Sequence, residues 1–359
     1  MVDLYQVFLP SYTVGGNDIY EKIYDQCHYY GEKVAIIGGK KGIQTCLESL
    51  QSALLSANIE ITGVLYYGGE ASAEQALAIS GTKEVARADM IFAVGGGKVI
   101  DTGKLAGMYA HLPVFTFPTI ASTCAAVSAV SVSYGQDHSF DKVIELAEPP
   151  RHCFINVNSI AAAPERYIWA GMGDTVAKHY EPLFSSRGDI LDHTNEMGML
   201  LSGICVKTLV EYGSQALADC RNNEPSWAVM QVALTIIVST GLVSNFVLEP
   251  YNSVIAHAIA YGLMEIPVIE AEHLHGEAVA YGTLVLLAVD GQWDEFRSIY
   301  LFNQSVGLPV RLRDMDISVT DVPVILAKAA TVNDLVKAPY VITKSMLYSA
   351  IIQIEAYTL

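Results

Sequence analysis

"DMIFAVGGGKVIDTGKLAG", Asp89 to Gly107, is the stretch on which the fold turns. An apolar run from Met90 to Val94 ends in three glycines at 95, 96 and 97, and helical composition begins after Lys98. A continuous apolar run too short for a helix marks a strand buried on both faces, as in a parallel sheet. Glycines at its carboxyl end carry no Cβ, so backbone N–H groups at the following helix start can approach an anion. Gly95, Gly96, Gly97, Lys98 and Val99 are therefore candidates for a phosphate cradle. Walker A chemistry is disfavoured, because Val99 stands where Ser or Thr is needed to hold magnesium, and consecutive glycines do not meet G-x-G-x-x-G. On loop chemistry alone, a tight strand-to-helix turn without a ligand stays open.

The same unit recurs on both sides. "KVAIIGG" (33–39), "ITGVLYYGG" (61–69), "PVFTFPT" (113–119) and "RHCFINV" (151–157) read as strands, with helical stretches between the first of them. This alternation predicts an α/β domain over residues 1–160 with a parallel sheet and ligands at the strands' carboxyl ends. "PTIASTCAAVSAVSVSY", Pro118 to Tyr134, is a second candidate loop, with uncharged hydroxyls at Thr119, Ser122, Thr123 and Ser128. After Pro164 long helical patterns take over, so residues 161–359 are expected to form an all-α domain, with a hinge near Asn156–Tyr167.

Composition bounds the function. The chain has 359 residues, 52% hydrophobic and 16% charged, ample for two dry cores. A formal charge of −17, from 21 Lys+Arg against 38 Asp+Glu, argues against nucleic acid as a partner. Six cysteines without C-x-x-C spacing fit buried thiols in a reducing cytoplasm. The N-terminal "MVDLYQVFLPSY" lacks the pattern of a secretory leader. Ala228 to Leu248 is uncharged and long enough to span a bilayer, but polar residues interrupt it and no basic cluster flanks it. A buried helix of a globular domain is the expectation there, with no membrane partner.

Nine histidines occur. His257, His273 and His275 lie close in sequence, and Asp174 sits in "AGMGDTVAKHYE". One carboxylate with two imidazoles is a plausible three-ligand metal site with an open position for substrate. Glycine beside Asp174 and His275 ("MGD", "HGE") would let neighbouring elements come close.

Together "GGGKVID", "PTIAST", "GMGDTVAKHYE" and "HGEAVAYGTL" resemble the glycerol-dehydrogenase branch of the group III, iron-type alcohol dehydrogenases, in order and over nearly the whole chain. The resemblance implies a dehydroquinate-synthase-like dinucleotide-binding domain, a helical metal-binding domain, and a catalytic cleft between them. It implies pyrophosphate contacts from Gly95, Gly96, Gly97 and Lys98, with Asp101 behind them at the start of the helix. Thr119, Ser122, Ser128, Val130 and Tyr134 would line the nicotinamide half. Asp174, His257 and His275 would be the metal ligands and the catalytic centre, while His273 has no assigned role. The implied reaction interconverts a small alcohol and its carbonyl by hydride transfer, in a cytoplasmic homo-oligomer acting on a small molecule.

Departures from the pattern sharpen these expectations. Iron-type members carry a further histidine four residues after the aspartate, where this chain has Lys178. Three ligands rather than four resembles the zinc-dependent glycerol dehydrogenases, which implies zinc, with iron second. Glycerol dehydrogenases carry an aspartate after "IAST" that touches substrate hydroxyls; here it is Cys124, which resembles the hydroxycarboxylate dehydrogenase subgroup and favours a 2-hydroxy acid over a polyol. The usual His-Asn pair after the first metal histidine is Ala260-Tyr261. After the 34–37 strand, Gly38, Gly39 and Lys40 stand where an NAD enzyme often has an acid, and Lys40 with Lys41 could meet a 2′-phosphate, so the coenzyme is NAD or NADP. Two rivals remain: a catalytically degenerate dinucleotide-binding protein, and a dehydroquinate-synthase-like lyase, for which Lys178, Arg187, Lys207 and Arg221 are a thin basic set.

Overall fold

The computed structural model describes residues 9–135 and 140–358. The first eight residues, part of the stretch read for a leader, lie outside the described ones. Its strands are β1 (Tyr12–Gly15), β2 (Lys33–Gly38), β3 (Glu60–Tyr66), β4 (Met90–Gly95), β5 (Val114–Pro118), β6 (Val130–Tyr134), β7 (Phe140–Glu145) and β8 (His152–Asn156). Six of them form one sheet in the order β1-β8-β5-β4-β2-β3, every pairing parallel. The central strands β4 and β5 are buried at every position, as their uninterrupted apolar runs require. Phe92, Phe117 and Phe154 stack through the core, with neighbouring ring centres 4.7 Å apart.

Two features escape the sequence pattern. β1 is a four-residue edge strand, "YTVG", too short and mixed to register as an apolar run. The ribbon of β6 and β7 begins inside the Pro118–Tyr134 stretch read as a loop, which holds β6, and β7 follows it. β6 is "VSVSY", and its alternation is inverted: Ser131 and Ser133 are buried. The Ser133 hydroxyl accepts a hydrogen bond from the Ala73 amide, which offsets its burial.

The chain divides into two compact units, Met1–Tyr167 with Ala218–Asn245, and Ile168–Leu217 with Phe246–Leu359. A single boundary at 160 does not express this return of the chain to the sheet-bearing unit. The returning segment holds the helical span Trp227–Phe246, the one described helix long and apolar enough to cross a membrane, and 61% of its apolar window is buried. Its Asn245 side chain accepts from the Ala129 amide at 2.8 Å and donates to the Val127 carbonyl at 3.0 Å. Gly241 meets Val127 and Cys124 so closely that a Cβ there would lie 2.2 Å from a Val127 methyl. The apolar helix is thus clamped to the Cys124–Ala129 segment by hydrogen bonds that a lipid face would not provide.

In the second unit the described regular elements are all helical. The helices Arg166–Ser185, Ile255–Leu263 and His275–Val289 carry the predicted ligands.

Candidate active site

Three helices meet where their backbones can almost touch. A Cβ on Gly276 would sit 1.8 Å from the Ala170 carbonyl oxygen, and one on Gly173 would sit 2.3 Å from the Gly276 carbonyl oxygen. Gly282 crosses the Ile255–Leu263 helix in the same way, 2.2 Å from the Ala256 carbonyl oxygen. Because Gly173 precedes Asp174 and Gly276 follows His275, these crossings carry the ligand side chains toward one another. Asp174, His257 and His275 each present one ligand atom, all within 4.8 Å of each other. Asp174 and His257 are half-buried and His275 is exposed, so the cluster opens to one side of its own unit.

Glu181, two helical turns beyond Asp174, braces the cluster. Its side chain is fully buried. One oxygen accepts from the backbone amides of Val254 and His257, at 2.7 and 3.1 Å, at the start of the Ile255–Leu263 helix. The other accepts from His257 Nδ1 at 2.5 Å. That bond directs the tautomer, leaving Nε2 toward Asp174 Oδ1 at 3.7 Å. Burial alone would lower the His257 pKa, but the Glu181 and Asp174 carboxylates on either side outweigh it and raise it to about 10. Burial likewise disfavours the Asp174 carboxylate, yet the His257 hydrogen bond and the charges of His275, His257 and Lys178 hold its pKa below the usual value. Two carboxylates around one imidazole call for a positive charge. An oxygen and two ring nitrogens with an outer carboxylate on one of them are a donor set suited to zinc or ferrous iron.

The remaining candidates of this unit stand apart. His273 turns its Nδ1 to Glu277 at 2.7 Å and belongs to the cap of the His275–Val289 helix, not to the ligand cluster. Lys178, at the position of the iron-type histidine, donates to Asn252 Oδ1 at 3.1 Å. In place of the His-Asn pair, Ala260 is buried and the Tyr261 ring lies 6.3 Å from that of His257.

In the sheet-bearing unit three strand ends converge. Gly96 and Gly97 open the helix Gly97–Ala110, whose first N–H groups have no capping side chain. A Cβ on Gly96 would lie 2.7 Å from Ile120, and one on Gly97 would lie 3.0 Å from the Thr123 hydroxyl, so both glycines admit the Pro118–Tyr134 segment. The Thr119 amide donates to the Gly95 carbonyl at 3.1 Å. Gly39 caps the helix Lys40–Ser56, again without a side-chain bond, and Val99 packs against it. Lys40 Nζ stands over the Tyr66 ring at 5.1 Å. Lys98 Nζ donates to Glu70 at 2.7 Å and lies over the Tyr134 ring at 5.0 Å.

Asp101 and Lys104 form a buried strut that the sequence reading did not resolve. Asp101 faces Lys104 Nζ at 2.9 Å, and burial raises its pKa against the opposing pull of that lysine. Lys104 also donates to the carbonyls of Ala125 at 2.8 Å, Ser128 at 3.4 Å, and Val130. The ammonium thus gathers the backbone on which Cys124, Ser128 and Val130 are carried. The available signal was a lysine one turn after Asp101 in an otherwise apolar helix. The signal for Glu181 was weaker, an acid seven residues after Asp174 on the same helical face.

The sequence model of the iron-containing alcohol dehydrogenase family matches residues 10–154. A glycerol dehydrogenase of Thermotoga maritima is 31% identical over 302 residues, covering 81% of each chain. Hydroxycarboxylate dehydrogenase A of Escherichia coli K12 is 29% identical and covers 82% of each chain. The crystal structure of glycerol dehydrogenase from Schizosaccharomyces pombe shares the fold, with a TM-score of 0.84 at 24% identity over 98% of this chain and 91% of that one.

Proposed function

The chain belongs to the iron-containing alcohol dehydrogenase family, in its glycerol-dehydrogenase branch, and from that premise we propose that it is a metal-dependent, NAD(P)-linked dehydrogenase interconverting a small alcohol and its carbonyl. The observation that carries this reading is the Asp174–His257–His275 cluster braced by Glu181. Zinc is the first choice of metal and iron the second, because Lys178 replaces the fourth ligand.

A divalent cation held by Asp174, His257 and His275 would supply Lewis acidity toward the substrate oxygen, and a nicotinamide coenzyme would supply the hydride acceptor. The protein's part is placement. Glu181 holds His257 in the tautomer that presents Nε2 to the site. The uncapped N–H groups behind Gly96 and Gly97, with Lys98, suit a pyrophosphate. Thr119, Ser122, Ser128, Val130 and Tyr134 lie on the segment that would line the nicotinamide, and Lys104 tethers part of it. In the oxidation direction the coenzyme would take up the hydride of the carbinol carbon, and the hydroxyl proton would pass to solvent. Exposed Lys40 and Lys41 beside Gly39, with no acid after β2, favour acceptance of NADP alongside NAD. The reading includes a cytoplasmic homo-oligomer. Exposed Met197, Leu200 and Ile204 on one face of the helix His193–Arg221 support self-association, which light scattering checks.

The test is a substrate panel of polyols and 2-hydroxy acids with each coenzyme, followed by reduced-nicotinamide absorbance before chelation, after it, and after zinc or ferrous iron is restored. Activity that disappears with the metal and returns with it is expected. Turnover indifferent to chelation, or absent with every alcohol, overturns the proposal.

A further inference from the structure

We propose that Lys178 selects the substrate class, its ammonium binding the carboxylate of a 2-hydroxy or 2-oxo acid whose adjacent oxygen engages the Asp174–His257–His275 site. The inference rests on the dehydrogenase reading and narrows it from alcohols in general to anionic ones.

The helix Arg166–Ser185 supplies the first argument. From Gly171 to Ala177 every residue is buried except Asp174, and the next position to open is Lys178. Residues four apart on a helix are surface neighbours. Asp174 and Lys178 therefore lie on the same stripe of the helix, one turn apart, where the stretch from Gly171 to Ala177 is otherwise enclosed.

The second argument is how the lysine is held. Its Nζ donates to Asn252 Oδ1 at 3.1 Å. The Asn252 amide nitrogen is bonded to the carbonyls of Val247 at 2.8 Å and Leu248 at 3.3 Å, which fixes the oxygen toward Lys178. Among the described residues no carboxylate lies within 4.0 Å of this Nζ, whereas Lys98, Lys104 and Lys337 each have one. A half-buried lysine aimed by a neutral amide keeps its charge available for an incoming anion. In a chain of net charge −17, a cation left unneutralised beside the ligand cluster is placed against the general field. A neutral polyol gains nothing from this ammonium beyond an ordinary hydrogen bond, whereas a carboxylate gains a charge-assisted one.

The experiment uses the metal-loaded protein and two probes that bear no hydrogen on the carbinol carbon and so cannot be oxidised there: 2-hydroxyisobutyrate and its neutral amide. Calorimetry reads their dissociation constants, and bound metal per chain is measured for every variant. The wild type is expected to prefer the acid by about tenfold or more. Lys178→Met should abolish the preference and Lys178→Arg should keep most of it, both with metal retained. Asn252→Asp, which offers the lysine an internal carboxylate, should reduce the preference while leaving the amine in place; it decides the matter if Lys178→Met does not hold metal. A wild type that binds both probes equally, or a preference that survives both Lys178→Met and Asn252→Asp, overturns the proposal. A protein that oxidises neutral polyols without preferring the acid probe keeps the dehydrogenase reading and loses this one. A protein that prefers the acid probe through Lys178 yet oxidises no alcohol keeps this subsite and loses the dehydrogenase reading.

Discussion

Gly96 and the glycines at 173 and 276 admit their neighbours in opposite ways. In the sheet-bearing unit, a Cβ on Gly96 would press on the end of the Ile120 side chain. That side chain has rotamers to spare. In the helical unit, a Cβ on Gly276 would press on the carbonyl oxygen of Ala170, and one on Gly173 on the carbonyl oxygen of Gly276. Backbone in a packed helix has nowhere to go. The turn at Gly96 is therefore built with tolerance, and the crossings beside Asp174 and His275 without it. Helix crossing distance sets whether Asp174, His257 and His275 meet at all.

Gly276→Ala should break the comparison most forcefully. We expect a loss of more than about 3 kcal/mol of stability together with the bound metal, because the overlap is with backbone. Thermal unfolding and metal analysis check it, and a variant with full metal and an unchanged midpoint would show that the crossing is softer than its geometry.

Acid pH acts on the other unit. His152 on β8 is bonded through both ring nitrogens, to Ser11 and Thr13, and burial lowers its pKa to about 4. The unfolded chain, with an ordinary value of about 6.5, binds more protons over that interval, so stability falls as pH falls from about 6.5 toward 4. The loss is about 3 kcal/mol across the interval, at roughly 1.4 kcal/mol per pH unit. Denaturant unfolding at several pH values, compared with His152→Asn, should show a flatter acid limb in the variant. Equal slopes would remove His152 from the account.

Glu181→Gln sharpens the picture within the ligand cluster, since it keeps the shape and removes the charge that orients His257. Metal affinity should weaken by about 10- to 100-fold, with coenzyme binding unchanged, as metal titration followed by coenzyme fluorescence would report. Unaltered metal affinity would reduce Glu181 to packing.

Gly96→Ala is the mildest of the set. Coenzyme should bind about tenfold more weakly while metal content stays at the wild-type level. Destruction of the fold by this substitution would erase the contrast between the two glycine sets.

Legibility follows the same division. The runs at 33–39, 89–97 and 113–119 declared their strands because a parallel sheet covered on both faces needs continuous apolar sequence, and β4 and β5 are buried throughout. β6 was hidden because its buried face carries Ser131 and Ser133, opposite to the usual rule. The return of 218–245 to the sheet-bearing unit was hidden because an apolar helix does not say which core it serves. Asp174, His257 and His275 were readable as donor types, and the structure brings them together; His273, equally readable, lies elsewhere. Glu181 looked like any surface acid until its two oxygens were seen to hold Val254, His257 and the imidazole at once.

The sequence by itself determined the strands at 33–39, 89–97 and 113–119, the glycine turn after Val94, and the chemical types of the ligand set. Those are properties of local pattern: apolar period, the absence of a Cβ, and which atoms can donate an electron pair. Only the tertiary structure decided which carboxylate stands behind His257, and that Lys178 is aimed by an amide while Lys104 is spent on three carbonyls. Electrostatic and hydrogen-bonding roles depend on distance and burial, and in a folded chain both are set by residues far away in sequence.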